Sequence, residues 1–170
     1  IQSQKRGMKW YMPHRYYTFK KKNVQFFVMD TNYEFMDKNE KDEQFKFLVK
    51  EINNSNKQWK ILIGHHTLRS IGGHGNAEKE MEDIFQKLSN KCSIDLYICG
   101  HDHNKQVIET KSGGKKISLV VCGTGGKKYH DVKNYKNVKD GELHFASSNL
   151  GYGLCRCSKK QLIIDFYDDN

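Results

Sequence analysis

Apolar residues in this chain occur as short extended runs and as helical stripes, and their order predicts the architecture. His14 to Lys20 (HRYYTFK) and Val24 to Asp30 (VQFFVMD) are aromatic and β-branched runs separated by Lys-Lys-Asn, which predicts two adjacent strands. From Asn39 the spacing changes: Phe45, Leu48, Val49 and Ile52 recur at helical intervals, with acidic residues early and Lys later, so a helix is expected to Asn54. Trp59 to Gly64 (WKILIG) is a short apolar run with polar flanks, as in a strand buried on both faces. A glycine-rich loop (SIGGHGN) then leads to a second helix over Ala77 to Asn90, whose Met81, Ile84, Phe85 and Leu88 share one side. Ile94 to Cys99 (IDLYIC) predicts another buried strand. Beyond it the pattern is strand and turn: Gln106 to Thr110, Ile117 to Cys122, a GTGG loop, and Gly151 to Tyr167 folded about Ser-Lys-Lys. Helix alternating with strand, then meandering strands, predicts an α/β chain with mixed β-sheets flanked by helices.

The chain has 170 residues, enough for one domain with a real core. Twenty-nine Lys and Arg against twenty Asp and Glu give a formal charge of +9, which favours polyanionic partners without choosing among them. The basic residues are scattered in pairs and triplets (Lys20 to Lys22, Lys115 and Lys116, Lys127 and Lys128) with no interleaved aromatics and no basic recognition helix, so nucleic-acid binding is not predicted. No segment carries the roughly 20 consecutive apolar residues of a membrane span. The five cysteines lack a CxxC pair; Cys99 and Cys122 read as buried small residues, while Cys155 and Cys157 alternate on a strand and point the same way.

Chemistry concentrates at two strand ends. His65 follows WKILIG, and His101 and His103 follow IDLYIC; functional groups of open α/β sheets gather beyond the carboxyl ends of their strands. A single histidine there is ordinarily a satisfied polar residue, whereas three at two neighbouring strand ends point to ligands for divalent metal. Gly64 and Gly100 are expected to let the backbone turn sharply before the rings. His66 carries no such support, and Asp102 is expected to point away from the ligand set.

These residues resemble a family. Leu62-Ile63-Gly64-His65 is similar to the V-x-x-H block of metallophosphoesterases and Gly100-His101-Asp102-His103 to their G-H-x-H block. WYMPHRYY at Trp10 to Tyr17, MDTN at Met29 to Asn32 and GHHTLRSIGGHG at Gly64 to Gly75 resemble the purple (tartrate-resistant-type) acid phosphatases. The resemblance implies hydrolysis of phosphate monoesters at a dinuclear metal centre, iron with iron, zinc or manganese. It implies that His65 and His101 bind the divalent metal, that His103 binds the other, and that His74 contacts the phosphate and protonates the leaving group. It further implies a phosphorylated small molecule or phosphoprotein as substrate, and a secreted, vacuolar or lysosomal setting. Asp30 falls on a position that is not a ligand in the family.

The family's D-x-G, G-D-x-x-Y and G-N-H-[D/E] blocks are missing from residues 1–170. The expectation is therefore the C-terminal half of a four-layer metallophosphoesterase sandwich, of α+β type, with the N-terminal part upstream of Ile1. An alternative is a phosphatase-like scaffold or adaptor that keeps the fold without the activity.

Overall fold

The computed structural model describes residues 11–125, 131–132 and 138–169. A mixed sheet of seven strands forms the centre: β1 (Tyr17–Lys21), β2 (Val24–Val28), β3 (Trp59–Ile63), β4 (Leu96–Cys99), β5 (Lys105–Ser112), β6 (Lys115–Cys122) and β7 (Gly141–Ser147). Their order is β1-β2-β3-β4-β6-β5-β7. The inner strands β2, β3, β4 and β6 run parallel, while β1, β5 and β7 pair antiparallel at the flanks. Two helices make the crossovers, α1 (Lys38–Asn53) between β2 and β3 and α2 (Lys79–Lys91) between β3 and β4. A separate antiparallel hairpin, β8 (Gly151–Cys157) with β9 (Leu162–Asp168), closes the described chain.

The parallel strands are apolar on both sides because both faces are covered. Phe27, Leu62, Tyr97 and Leu119 meet Leu48 and Ile52 of α1 and Met81, Phe85 and Leu88 of α2 in one cluster. The alternate residues Val24, Ile61, Leu96 and Val120 face the other way, where Leu162, Ile164 and Phe166 of the hairpin pack on them. Leu62 and Ile61, neighbours in sequence, are both fully buried yet belong to different layers. Each such side chain contributes about 1.5–3 kcal/mol by leaving water.

Helix α1 starts at Lys38 because Asp37 makes a capping box with Glu40. The Asp37 carboxylate accepts from the Glu40 amide at 2.9 Å, and the Glu40 side chain accepts from the Asp37 amide at 3.0 Å. Helix α2 begins at Lys79, two residues later than the sequence pattern places it. Strand β7 (GELHFAS) is absent from the expected elements: it is an edge strand, largely exposed, with no clean apolar alternation. The hairpin is pinned by the fully buried Lys105, whose ammonium donates to Asp168 and to the carbonyls of Leu150 (3.4 Å) and Tyr167 (3.3 Å).

Candidate metal centre and active site

Strands β3 and β4 are hydrogen-bonded parallel neighbours, with Ile63 opposite Ile98. The turns that follow them therefore start side by side, and the amide of Gly100 donates to the carbonyl of His65 at 3.1 Å. His65 Nε2 and His101 Nδ1 lie 3.2 Å apart. Two imidazole nitrogens held by one tetrahedral ion at about 2.05 Å each stand about 3.3 Å apart, so this hydrogen-bonded pair is also spaced to share one ion.

The first turn is shaped by Thr31. Its hydroxyl accepts from the amides of His65 (3.2 Å) and His66 (3.1 Å) and bonds the His66 ring at Nδ1 (2.8 Å). Tyr97 donates its hydroxyl to the carbonyl of His66 at 2.6 Å. Gly64 is required by crowding: a Cβ there would stand 2.5 Å from the Tyr97 hydroxyl and 2.6 Å from Thr31 Cγ2.

The second turn departs from the expectation for Gly100. The left-handed residue is His101 itself, with φ of 62°, and a Cβ on Gly100 would meet nothing closer than 3.9 Å. A histidine in that region costs on the order of 1–3 kcal/mol, and such conformations cluster at functional sites.

Asp102 turns inward and is fully buried. One carboxylate oxygen accepts from the backbone amide of His74 at 2.9 Å and the other from the hydroxyl of Ser70. Ser70 Oγ in turn accepts from Gln106 Nε2 at 2.7 Å and from the Gly72 amide at 2.9 Å. This buried knot ties the loop over residues 70–74 to the His101 turn, and as a result the His74 ring stacks on His101 with centroids 3.8 Å apart. His66, without support in the sequence, also joins the group, its ring centroid 4.6 Å from that of His101. The signal that was available is its position beside His65 at the same strand end.

A cavity of about 300 Å³ opens beside these rings, lined by His66, His74 and His101 and by Thr31, Tyr33 and Met81. Arg69, at the start of the same loop, turns away from it and pairs with Glu82 on α2. Asp30 is held by Arg15 and by the amide of Asn32, both at 2.9 Å.

The rings depress one another's basicity. His101 is lowered to about 4, first by burial and then by His74, His66 and His65, against a smaller opposing effect of Asp102. His65 is lowered by partial burial and then by His66, His103 and His74. Neutral imidazole offers a metal the lone pair that imidazolium lacks, so the environment suits ligands. Among the described residues no group of three or more His, Cys, Asp or Glu side chains is gathered closely enough to enclose an ion. The donors present fit one side of a metal centre, with further ligands required from elsewhere.

Fold and site together define a metallophosphoesterase. The sequence matches the calcineurin-like phosphoesterase family over residues 4–105, and the chain belongs to that family. It is 35% identical over 127 residues to purple acid phosphatase 3 of Arabidopsis thaliana, covering 71% of this chain and 33% of that protein. Purple acid phosphatase 4 of the same plant is 31% identical over 117 residues, covering 69% of this chain and 33% of its own length. Tartrate-resistant acid phosphatase type 5 of Oryctolagus cuniculus is 24% identical over 129 residues, covering 74% and 38%. The chain thus spans about a third of the length of these relatives.

Two solved structures share the fold. GAP50, described as the anchor in the inner membrane complex of Plasmodium, superposes with a TM-score of 0.75 at 22% identity, covering 94% of this chain and 52% of that one. A purple acid phosphatase from yellow lupin (Lupinus luteus) seeds gives 0.72 at 17% identity, covering 94% and 32%. Family membership implies a dinuclear metal centre. Among the described residues no helix is long and apolar enough to cross a membrane.

Proposed function

We propose that this chain is the C-terminal part of a single metallophosphoesterase domain that hydrolyses phosphate monoesters in the manner of the acid phosphatases. The observation that carries this is the 3.2 Å approach of His65 Nε2 to His101 Nδ1 at the ends of two adjacent parallel strands. In this reading His65 and His101 share the divalent metal, and His103 serves the second ion of the pair, iron with iron, zinc or manganese.

When bound, a dinuclear centre supplies Lewis-acid polarisation of the phosphoryl oxygens and an activated water near neutral or acidic pH. The chain's own residues do the rest. Thr31 fixes the His65-His66 turn, and Asp102 fixes the loop that carries His74. His74, exposed at the cavity mouth and stacked on His101, donates a proton from its ring to the departing alkoxide. The cavity of about 300 Å³ receives the organic part of the ester, which a phosphorylated small molecule or a phosphoprotein side chain could supply.

A second reading has an observation of its own. The fold superposes over 94% of this chain on a protein described as an anchor, so the same fold is compatible with a scaffold role. One experiment separates the two. In the intact protein loaded with metal, aryl phosphate hydrolysis is expected, and His101→Ala is expected to lower both metal content and turnover by at least about tenfold. Absent hydrolysis with unchanged metal content in the variant would leave the scaffold reading standing.

A further inference from the structure

We propose that Cys155 and Cys157 form an open chelate for a soft, thiolate-seeking cation, at the end of the molecule remote from the histidine cluster. Both lie on β8 with one residue between them, so their side chains leave the strand on the same side. Neither forms a disulfide, and their Sγ atoms stand 3.7 Å apart. Two thiolates on one tetrahedral ion at about 2.3 Å each are separated by about 3.8 Å. The pair is therefore spaced as two ligands of one ion before any ion arrives.

The strand keeps that spacing. Cys155 is paired with Ile164 and Cys157 with Leu162 across the hairpin, while Arg156 between them projects to the other side and bridges Asp165 at 2.6 Å. Closing a disulfide instead needs Cβ atoms about 3.5–4.5 Å apart, whereas residues two apart on an extended strand are about 6.6 Å apart along its axis. Chelation asks for no backbone movement and bridging does. Cys155 is exposed, which gives an incoming ion access, and Cys157 is half-buried against the apolar cluster under the hairpin.

The position makes this site independent of the phosphatase reading. Ser158, next to Cys157, accepts hydrogen bonds from Trp59 and Asn23 at 2.7 Å each, at the beginning of β3, whereas His65 follows the end of that strand. Six residues of extended chain put about 20 Å between those ends. Two sulfurs leave the remaining positions of an ion to water or a small thiol, so exchange should be easy. Soft thiolates select Cu(I), Zn(II) and similar ions over Mg(II) or Ca(II). Each bound divalent ion displaces one proton from each thiol, and because burial and then Cys157 push the Cys155 thiol up to about 11, binding tightens as pH rises.

The test uses the full protein under reducing conditions, with cadmium(II) and phenylarsine oxide as probes. Phenylarsine oxide takes two thiols, forming two As–S bonds and releasing one water with no change of oxidation state. With the histidine centre already loaded with its own metal, one further equivalent of cadmium, or one equivalent of phenylarsine oxide, is expected to bind, with two protons released per cadmium and both cysteines protected from alkylation. Cys155→Ser and Cys157→Ser should each weaken binding at least about tenfold, while Cys122→Ser and aryl phosphate turnover stay unchanged. Undiminished binding in Cys155→Ser, failure of wild type to bind either probe, or recovery of the pair as a disulfide from the native protein would each overturn the proposal.

Discussion

Replacing Asp102 with asparagine probes whether the buried knot holds the His74 loop. The two residues have the same shape, so the change removes an acceptor and adds a donor without opening a cavity. Both carboxylate oxygens receive hydrogen, one from the His74 amide and one from the Ser70 hydroxyl. A serine hydroxyl offers one donor and two acceptor positions. Both acceptor positions of Ser70 are taken, by Gln106 Nε2 and by the Gly72 amide, so its hydrogen has to point at residue 102. An asparagine that keeps its oxygen toward His74 turns its amide hydrogens on Ser70, and the reverse orientation leaves the His74 amide unsatisfied. One lost bond to a buried acceptor costs about 1.5–3 kcal/mol. With a urea slope of about 1–3 kcal/mol per molar, the midpoint should fall by about 1 M at constant slope. Amide exchange at His74 should accelerate with it, and in the intact protein kcat should fall more than KM because the proton donor is misplaced. A midpoint within 0.2 M of wild type, with the His74 amide still protected, would refute the reasoning; that threshold corresponds to about 0.5 kcal/mol, the range of a neutral surface change.

Two further predictions follow from the same region. Gly72→Ala places a Cβ 2.5 Å from both Asn104 Nδ2 and Asp102 Cγ, which are buried; a loss of about 1–3 kcal/mol in urea unfolding is expected, against under about 0.5 kcal/mol for Gly125→Ala, where nothing lies within 4 Å. The metal-free chain should lose stability as pH falls. His101 is lowered to about 4 in the folded state against about 6.5 unfolded, so between those values the unfolded chain binds the extra proton. Stability is complete above pH about 6.5 and declines toward pH 4, and His101→Asn should flatten the decline; a flat profile for the metal-free wild-type chain across that window would contradict the assignment.

Much of this arrangement was legible in the chain itself. The runs WKILI and LYIC announce buried parallel strands because, Lys60 apart, their residues are apolar enough for two covered faces, and the helical stripes of α1 and α2 fit the face they occupy. Histidines at the ends of those runs mark the site, since parallel strands deliver their carboxyl ends to one edge. Local pattern could not supply β7, whose pairing with β5 satisfies backbone groups and buries little, so no apolar alternation records it. Nor could it show that Asp102, lying between two histidines, turns inward to Ser70 and His74, or that His66 enters the ring cluster through Thr31, 35 residues earlier. The sequence by itself determined the elements other than β7 and the residue types at their ends. Only the tertiary structure decided which strands are neighbours, and with that the 3.2 Å between His65 and His101 and the stacking of His74 on His101, because those contacts join residues 36 and 27 positions apart and depend on the order of strands in the sheet.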